Sequence, residues 1–259
     1  MKKMLGMGNE GGSAVYRLDK VSMSGDDGKF TITDLTTERA KGVKPTVTAL
    51  GEKVEGVILK MRWILEFWDQ PNTTFYSSTE YDDKWKDTVT VYPVKDKGSV
   101  ETMKAKYKLK TLRVIYFYIP SQKKVVRLMV KASALSGKDK NVNGELGLFE
   151  YINDFASDES LPCEYVTECT GVFRAGTNQD GSANKRKDHY AMTFARGRVL
   201  TESEFAKIQT LMIEVNEKTN TPAAEVPEEP QEVDESQAID DAFDAAFPDK
   251  ETNVEEPAF

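Results

Sequence analysis

The stretch from Val54 to Lys131 constrains the fold more than any other part of this chain. It holds five runs rich in β-branched and aromatic residues: 54–68, 75–78, 87–92, 111–120 and 124–131, of which the second and third read as one long strand or a hairpin around the polar residues 80–86. Turn residues such as Gln70-Pro71-Asn72 and Pro120-Ser121-Gln122 separate them. Side chains branched at Cβ fit an extended, pleated backbone, and punctuation by Pro, Asn and Ser ends each run, so these read as β-strands. None approaches the length of about 20 apolar residues that a membrane helix needs.

Further strands flank this region. Val15–Val21 and Lys29–Leu35 read as two strands, and Ser24-Gly25-Asp26-Asp27-Gly28 supplies the turn chemistry of a hairpin. Thr36–Lys53 reads mostly as a connection. Glu164–Arg174 and His189–Arg196 are two more strands. Helical signals are few. Leu148, Tyr151, Ile152 and Phe155 share one face of a short amphipathic helix. Thr201-Glu202-Ser203-Glu204 has capping-box spacing and opens a helix running to about Lys218, with Phe205, Ile208, Leu211, Met212 and Val215 as its stripe. Ser99 can cap a helix from Val100, but Lys104, Lys106, Lys108 and Lys110 also suit a strand, which would place them on one face. The expected fold is mainly β with a few helices (α+β), with seven or eight strands in a small barrel or sandwich.

Charge is unevenly distributed. The chain of 259 residues has a formal net charge of -8. Residues 222–259 alone hold thirteen Asp/Glu and one Lys, which leaves +4 on the remainder. Between Lys95 and Lys131 there are eleven Lys/Arg and two acids, Asp96 and Glu101. A mildly basic body joined to a strongly acidic tail points to an anionic ligand, and the low overall pI hides it. The expected organisation is a mobile N-terminus (1–14), a ligand-binding body (15–218) and a disordered acidic tail (219–259).

Basic and aromatic residues alternate through the body, an arrangement suited to single-stranded nucleic acid: bases stack on rings while Lys and Arg follow the phosphates. The expected stacking rings are Trp63, Tyr81, Trp85, Tyr116 and Tyr118; the expected phosphate contacts are Arg62, Lys86, Lys106, Arg113, Lys124, Arg127 and Lys131. Strand alternation assigns about half of such rings to a core.

Catalytic constellations are poor. His189 is the one histidine and has no nucleophile motif beside it; a P-loop and a dinucleotide fingerprint are both absent, so no enzyme is expected and no cofactor. Asp82, Asp83 and Asp87 suit Mg²⁺ only weakly, since acids in a polar hairpin are more often solvated. Cys163 and Cys169 have five residues between them, wider than the usual zinc spacing, and read as buried thiols. Two cysteines make no disulfide framework, and no signal peptide is legible at the N-terminus, so the expected compartment is the cytoplasm.

The tail carries its own pattern. Ile239, Phe243 and Phe247 recur at four-residue intervals, as one stripe of a short helix that docks in a partner's groove. The chain ends Glu255-Glu256-Pro257-Ala258-Phe259. A β-rich body, a Pro/Glu-rich linker and an acidic tip ending in Phe resemble the single-stranded DNA-binding proteins of bacteria and their phages. The resemblance implies an OB-like barrel, here with an added N-terminal hairpin and C-terminal helix. It also implies coating of single-stranded DNA in replication, recombination and repair, and recruitment of partner proteins by the tip, through Ile239, Phe243, Phe247, Glu255, Glu256, Pro257 and Phe259. It places a phage-encoded chain in the cytoplasm of the bacterial host, as a possible homo-oligomer and without a membrane partner. The bacterial tip ends Ile-Pro-Phe, whereas Ala258 here separates the Pro from the Phe. The resemblance covers organisation and the last residues, not the body. Alternative readings are an adaptor or inhibitor acting through its tail, and a strand-annealing recombination protein.

Overall fold

The computed structural model describes residues 18–37, 43–82, 87–136, 146–176, 178 and 182–220. Among these, eleven strands and three α-helices form. They are β1 (Lys20–Met23), β2 (Phe30–Thr33), β3 (Val47–Gly51), β4 (Lys53–Asp69), β5 (Thr74–Ser78), β6 (Thr88–Tyr92), β7 (Asp96–Ser99) and α1 (Val100–Tyr107), followed by β8 (Lys110–Ile119), β9 (Lys124–Val130), α2 (Leu148–Ser157), β10 (Tyr165–Arg174), β11 (His189–Val199) and α3 (Glu202–Asn220). The fold is mainly β with helices, as expected. Residues 1–17 and 221–259 lie outside the described residues, and with them the expected N-terminal segment and tail.

The strands form one mixed sheet in the order β3-β2-β1-β9-β8-β4-β5-β6-β7, and β10 joins it by pairing with both β4 and β11. β1 runs parallel to β9. β4, 17 residues long, is the spine. Along one edge it pairs with β8 from Val57 to Glu66. Along the other it pairs with β10 at Lys53–Gly56, bridges Tyr81 at Trp63, and pairs with β5 at Glu66–Asp69. Among the described residues β11 has no strand partner but β10, so a seam remains between β11 and β1. The Tyr190 N–H donates to the Gly25 carbonyl across it at 2.7 Å.

A bulge between Ile58 and Lys60 re-aims the side chains of β4, since one extra residue flips the alternation of a strand. Before it, Val54 and Ile58 enter one core while Val57 and Leu59 enter a second. After it, Ile64 belongs to the second core and Leu65 to a third. The first core fills the curve of the sheet and is plugged by Leu148, Tyr151 and Phe155 of α2. The second lies between the opposite sheet face and α3. The third holds the arm β5–α1 together.

Two local expectations change. β3 occupies part of what reads as a connection; its largely exposed side chains give no alternating signal. Between Val100 and Lys110 helix and strand both occur: Ser99 Oγ accepts the Thr102 N–H, the helix ends at Tyr107, Lys108 turns with φ 56°, and β8 begins at Lys110.

Candidate nucleic-acid interface

Four of the expected contact residues lie on the sheet face that α3 covers. Tyr116 is 3% exposed and Tyr118 is 6% exposed. The Tyr116 hydroxyl donates to Glu80 Oε2 at 2.6 Å, and Arg127 Nη2 meets Glu80 Oε1 at 2.7 Å. Arg62 Nε donates to Asp82 Oδ1 at 3.0 Å, and its Nη1 donates to the Thr219 carbonyl at 3.0 Å. Lys207 Nζ donates to the Tyr118 hydroxyl at 2.6 Å, and Lys60 Nζ to Thr219 Oγ1 at 2.8 Å. Polar contacts therefore pin α3 near both ends, and Ile208 and Val215 are fully buried beneath it. Each such side chain stabilises the docked helix by about 1.5–3 kcal/mol. Burial, reinforced by the Glu80 charge, pushes the Tyr116 hydroxyl well above its ordinary pKa. Burial beside Arg62 pushes the Lys60 amine down.

Tyr81, 2% exposed, sits in the third core, with its backbone paired to Trp63. As placed, Tyr81, Tyr116 and Tyr118 have no ring face to offer a base; they follow the buried half of the strand alternation. Lys106 is bound to Asp96 at 2.6 Å, and Lys124 to the buried Asp19 at 2.5 Å. Arg62, Lys106, Lys124 and Arg127 thus each have an internal carboxylate, which a phosphate would have to displace. Lys131 is exposed at the end of β9. Trp85, Lys86 and Asp83 lie outside the described residues, as do Ile239, Phe243, Phe247, Glu255, Glu256, Pro257 and Phe259.

The pair that the fold does bring together is Trp63 and Arg113. They face each other across β4 and β8. The guanidinium carbon of Arg113 lies 4.3 Å from the Trp63 ring centroid. Both side chains are half-buried. Arg113 forms no ion pair among the described residues, and its buried Nε has no hydrogen-bond partner. Burial lowers its pKa from 12.5, opposed by the charges of Asp82 and Tyr81. The Phe149 ring, from the first turn of α2, lies 6.3 Å from the Trp63 ring and is 42% exposed.

Among the described residues three aromatic side chains are exposed: Tyr92, Phe149 and Phe173. None was among the expected stacking rings. Phe149 was legible in principle, because it stands off the Leu148–Tyr151–Phe155 stripe on the polar side of an amphipathic helix. Phe173 and Tyr92 sit at strand ends, where alternation no longer discriminates.

Cys163 and Cys169 are buried free thiols, and burial raises the pKa of each. Asp82 is engaged by Arg62, and Asp87 Oδ2 accepts the Asp82 N–H at 2.8 Å. Among the described residues no three His, Cys, Asp or Glu side chains gather as a metal site, and no helix is long and apolar enough to cross a membrane. No protein-family model, curated protein or solved structure matches the chain.

Proposed function

We propose that this chain binds single-stranded DNA, without strong sequence preference, at the Trp63–Arg113–Phe149 cluster. The observation that carries the reading is Arg113: a half-buried guanidinium stacked on an indole, with its Nε unpaired and Asp82 the one described carboxylate whose charge reaches it, at a range too long for an ion pair. Keeping such a charge unneutralised costs stability unless a ligand anion completes it. A base stacking on Phe149 or the Trp63 edge would bring its phosphate to Arg113, and stacking tolerates any base. The excess of cations over acids between Lys95 and Lys131 supplies the long-range attraction.

The strand pairing supports an OB-like body. A long first strand, β4, pairs with both β8 and β10; β8–β9 and β10–β11 are antiparallel hairpin partners; and α2, between β9 and β10 in the chain, plugs the interior. On this reading β1–β2 is an added hairpin in the seam, β5–α1 an arm inserted after the first strand, and α3 an added cover. The β8–β9 outer face, where an OB barrel holds its ligand, lies under that cover, so the strand is assigned to the Trp63 side.

In this reading the chain coats single strands during replication or recombination in a bacterial cytoplasm, phage-encoded or cellular. Its acidic tail, through Ile239, Phe243, Phe247 and the Glu255–Phe259 tip, recruits other proteins of those processes. Fluorescence anisotropy of the full chain with labelled oligothymidylate at low and moderate salt tests it. Binding that falls with salt and resists duplex competitor is expected, and absence of binding at low salt overturns the reading.

A further inference from the structure

We propose a second single-strand contact at the far end of the β10–β11 hairpin, with Phe173 as a stacking ring and Lys185, Arg186 and Lys187 as phosphate contacts. This rests on the single-strand reading above, but on different residues. Phe173 is 53% exposed, too open to serve a core. It stands edge-on to its cross-strand partner Tyr190, with centroids 5.5 Å apart and planes at 67°.

The surroundings hold this ring in place. Tyr190 is locked against the β1–β2 turn: its N–H donates to Gly25, and its ring lies so close to Gly28 that a Cβ there would be 2.5 Å from Tyr190 Cδ1. The three cations sit on one 3-10 turn rather than a loose loop. The Asn184 side chain accepts the Arg186 N–H at 3.1 Å, and the Asn184 N–H donates to the Gly176 carbonyl at 2.7 Å. The neighbouring acid, Asp188, spends Oδ1 on the Gly176 N–H at 2.7 Å. Lys185, Arg186 and Lys187 are all exposed, and none forms an ion pair among the described residues. An exposed ring braced by Tyr190, on the same hairpin as three exposed cations carried by a hydrogen-bonded turn, matches the pairing of base stack and phosphate track that a single strand requires.

The hairpin end is also in line with the first cluster. From Tyr190 the backbone contacts pass through Gly25 at the end of β1, then β9, then Arg113 on β8, then Trp63 on β4. With the step from Phe173 to Tyr190 there are five, which at about 4.8 Å each make a path of roughly 24 Å over the curved sheet, short enough for one strand to engage both.

The test uses the full chain and a labelled oligothymidylate long enough to span both contacts. Phe173→Ala is expected to weaken binding roughly 5- to 100-fold, the range of a lost base stack. Phe173→Leu, which keeps apolar bulk, should behave like Phe173→Ala and guards against a folding artefact. Lys185→Ala/Arg186→Ala/Lys187→Ala should flatten the dependence of log K on log salt by about 2, the share of three single-strand phosphate contacts. If the parent binds while folded variants keep its affinity and salt slope, the hairpin contact is wrong and the first cluster stands. If the parent does not bind, both readings fall together.

Discussion

The guanidinium of Arg113 lies 4.3 Å from the ring centre of its cross-strand partner Trp63, while its buried Nε is left without a hydrogen-bond partner. An unsatisfied buried polar group costs about 1–3 kcal/mol, and Arg113, unlike Arg127 and Arg196 whose Nε atoms are also unpaired, has no ion pair among the described residues to offset that cost. Arg113→Met, which keeps the stem and removes the charge, should therefore raise the melting temperature by a few degrees, on the order of 1 kcal/mol. It should also weaken oligothymidylate binding by about tenfold, the scale of one lost charge-assisted contact. Calorimetry and anisotropy on the same preparation check the opposed signs; a fall in both would make Arg113 a structural residue.

Glu80 shows the contrary pattern. It is 13% exposed on its side chain and answers both Arg127, itself 25% exposed, and the Tyr116 hydroxyl. Glu80→Ala leaves a largely buried guanidinium uncompensated and should destabilise the fold by about 3 kcal/mol. Urea unfolding followed by tryptophan fluorescence measures it, and Glu80→Gln should recover part of the loss by keeping hydrogen-bonding capacity.

The docking of α3 separates a fixed cover from a movable one. Ile208→Ala removes a fully buried side chain between α3 and the sheet and should cost about 2–4 kcal/mol. If α3 is a permanent cover, affinity for single strands in the folded variant stays at the parent value. A gain in affinity would mean that the Tyr116–Tyr118 face binds once uncovered, and would move the proposed site to it.

The start of α3 carries a pH signature. The Arg198 guanidinium, helped by the Thr201 N–H, lowers the Glu204 carboxyl from 4.5 to about 2. A depressed carboxylate pKa favours the folded state above the unfolded value and loses that contribution as pH falls through the folded one. The melting temperature of Glu204→Gln should accordingly lie below the parent's above about pH 5 and converge on it between pH 4.5 and 2. A constant gap across that window would show that the Arg198 pairing does not act through the Glu204 charge.

Gly28 tests the seam between β1 and β11. Its φ is 71°, and a Cβ would press on the Tyr190 ring at 2.5 Å. Gly28→Ala should destabilise by more than about 1 kcal/mol, because backbone strain and the clash act together. Thermal melting checks this, and an unchanged melting temperature would mean that the turn and Tyr190 do not brace each other.

Much of this architecture is present in the order of residues alone. The Val, Ile and aromatic content of residues 54–68 and 111–131 dictated extended chain, Ser24–Gly28 dictated a hairpin turn, and the spacing of Phe205, Ile208, Leu211 and Val215 dictated a helix with one apolar stripe. These are local properties, set by torsional preference and periodicity within a few residues. Which face of each strand meets solvent is not local. The bulge at Ile58–Lys60 re-aims the side chains of β4, and α3, folding back across 89 residues to Tyr118 and 157 to Arg62, covers Tyr116, Tyr118 and Arg62 while leaving Phe149 and Phe173 open. The sequence could say that basic and aromatic residues alternate; only the packing of α2 and α3 against opposite faces of one sheet decided which of them remain free to meet a ligand, because burial depends on what the rest of the chain lays on top.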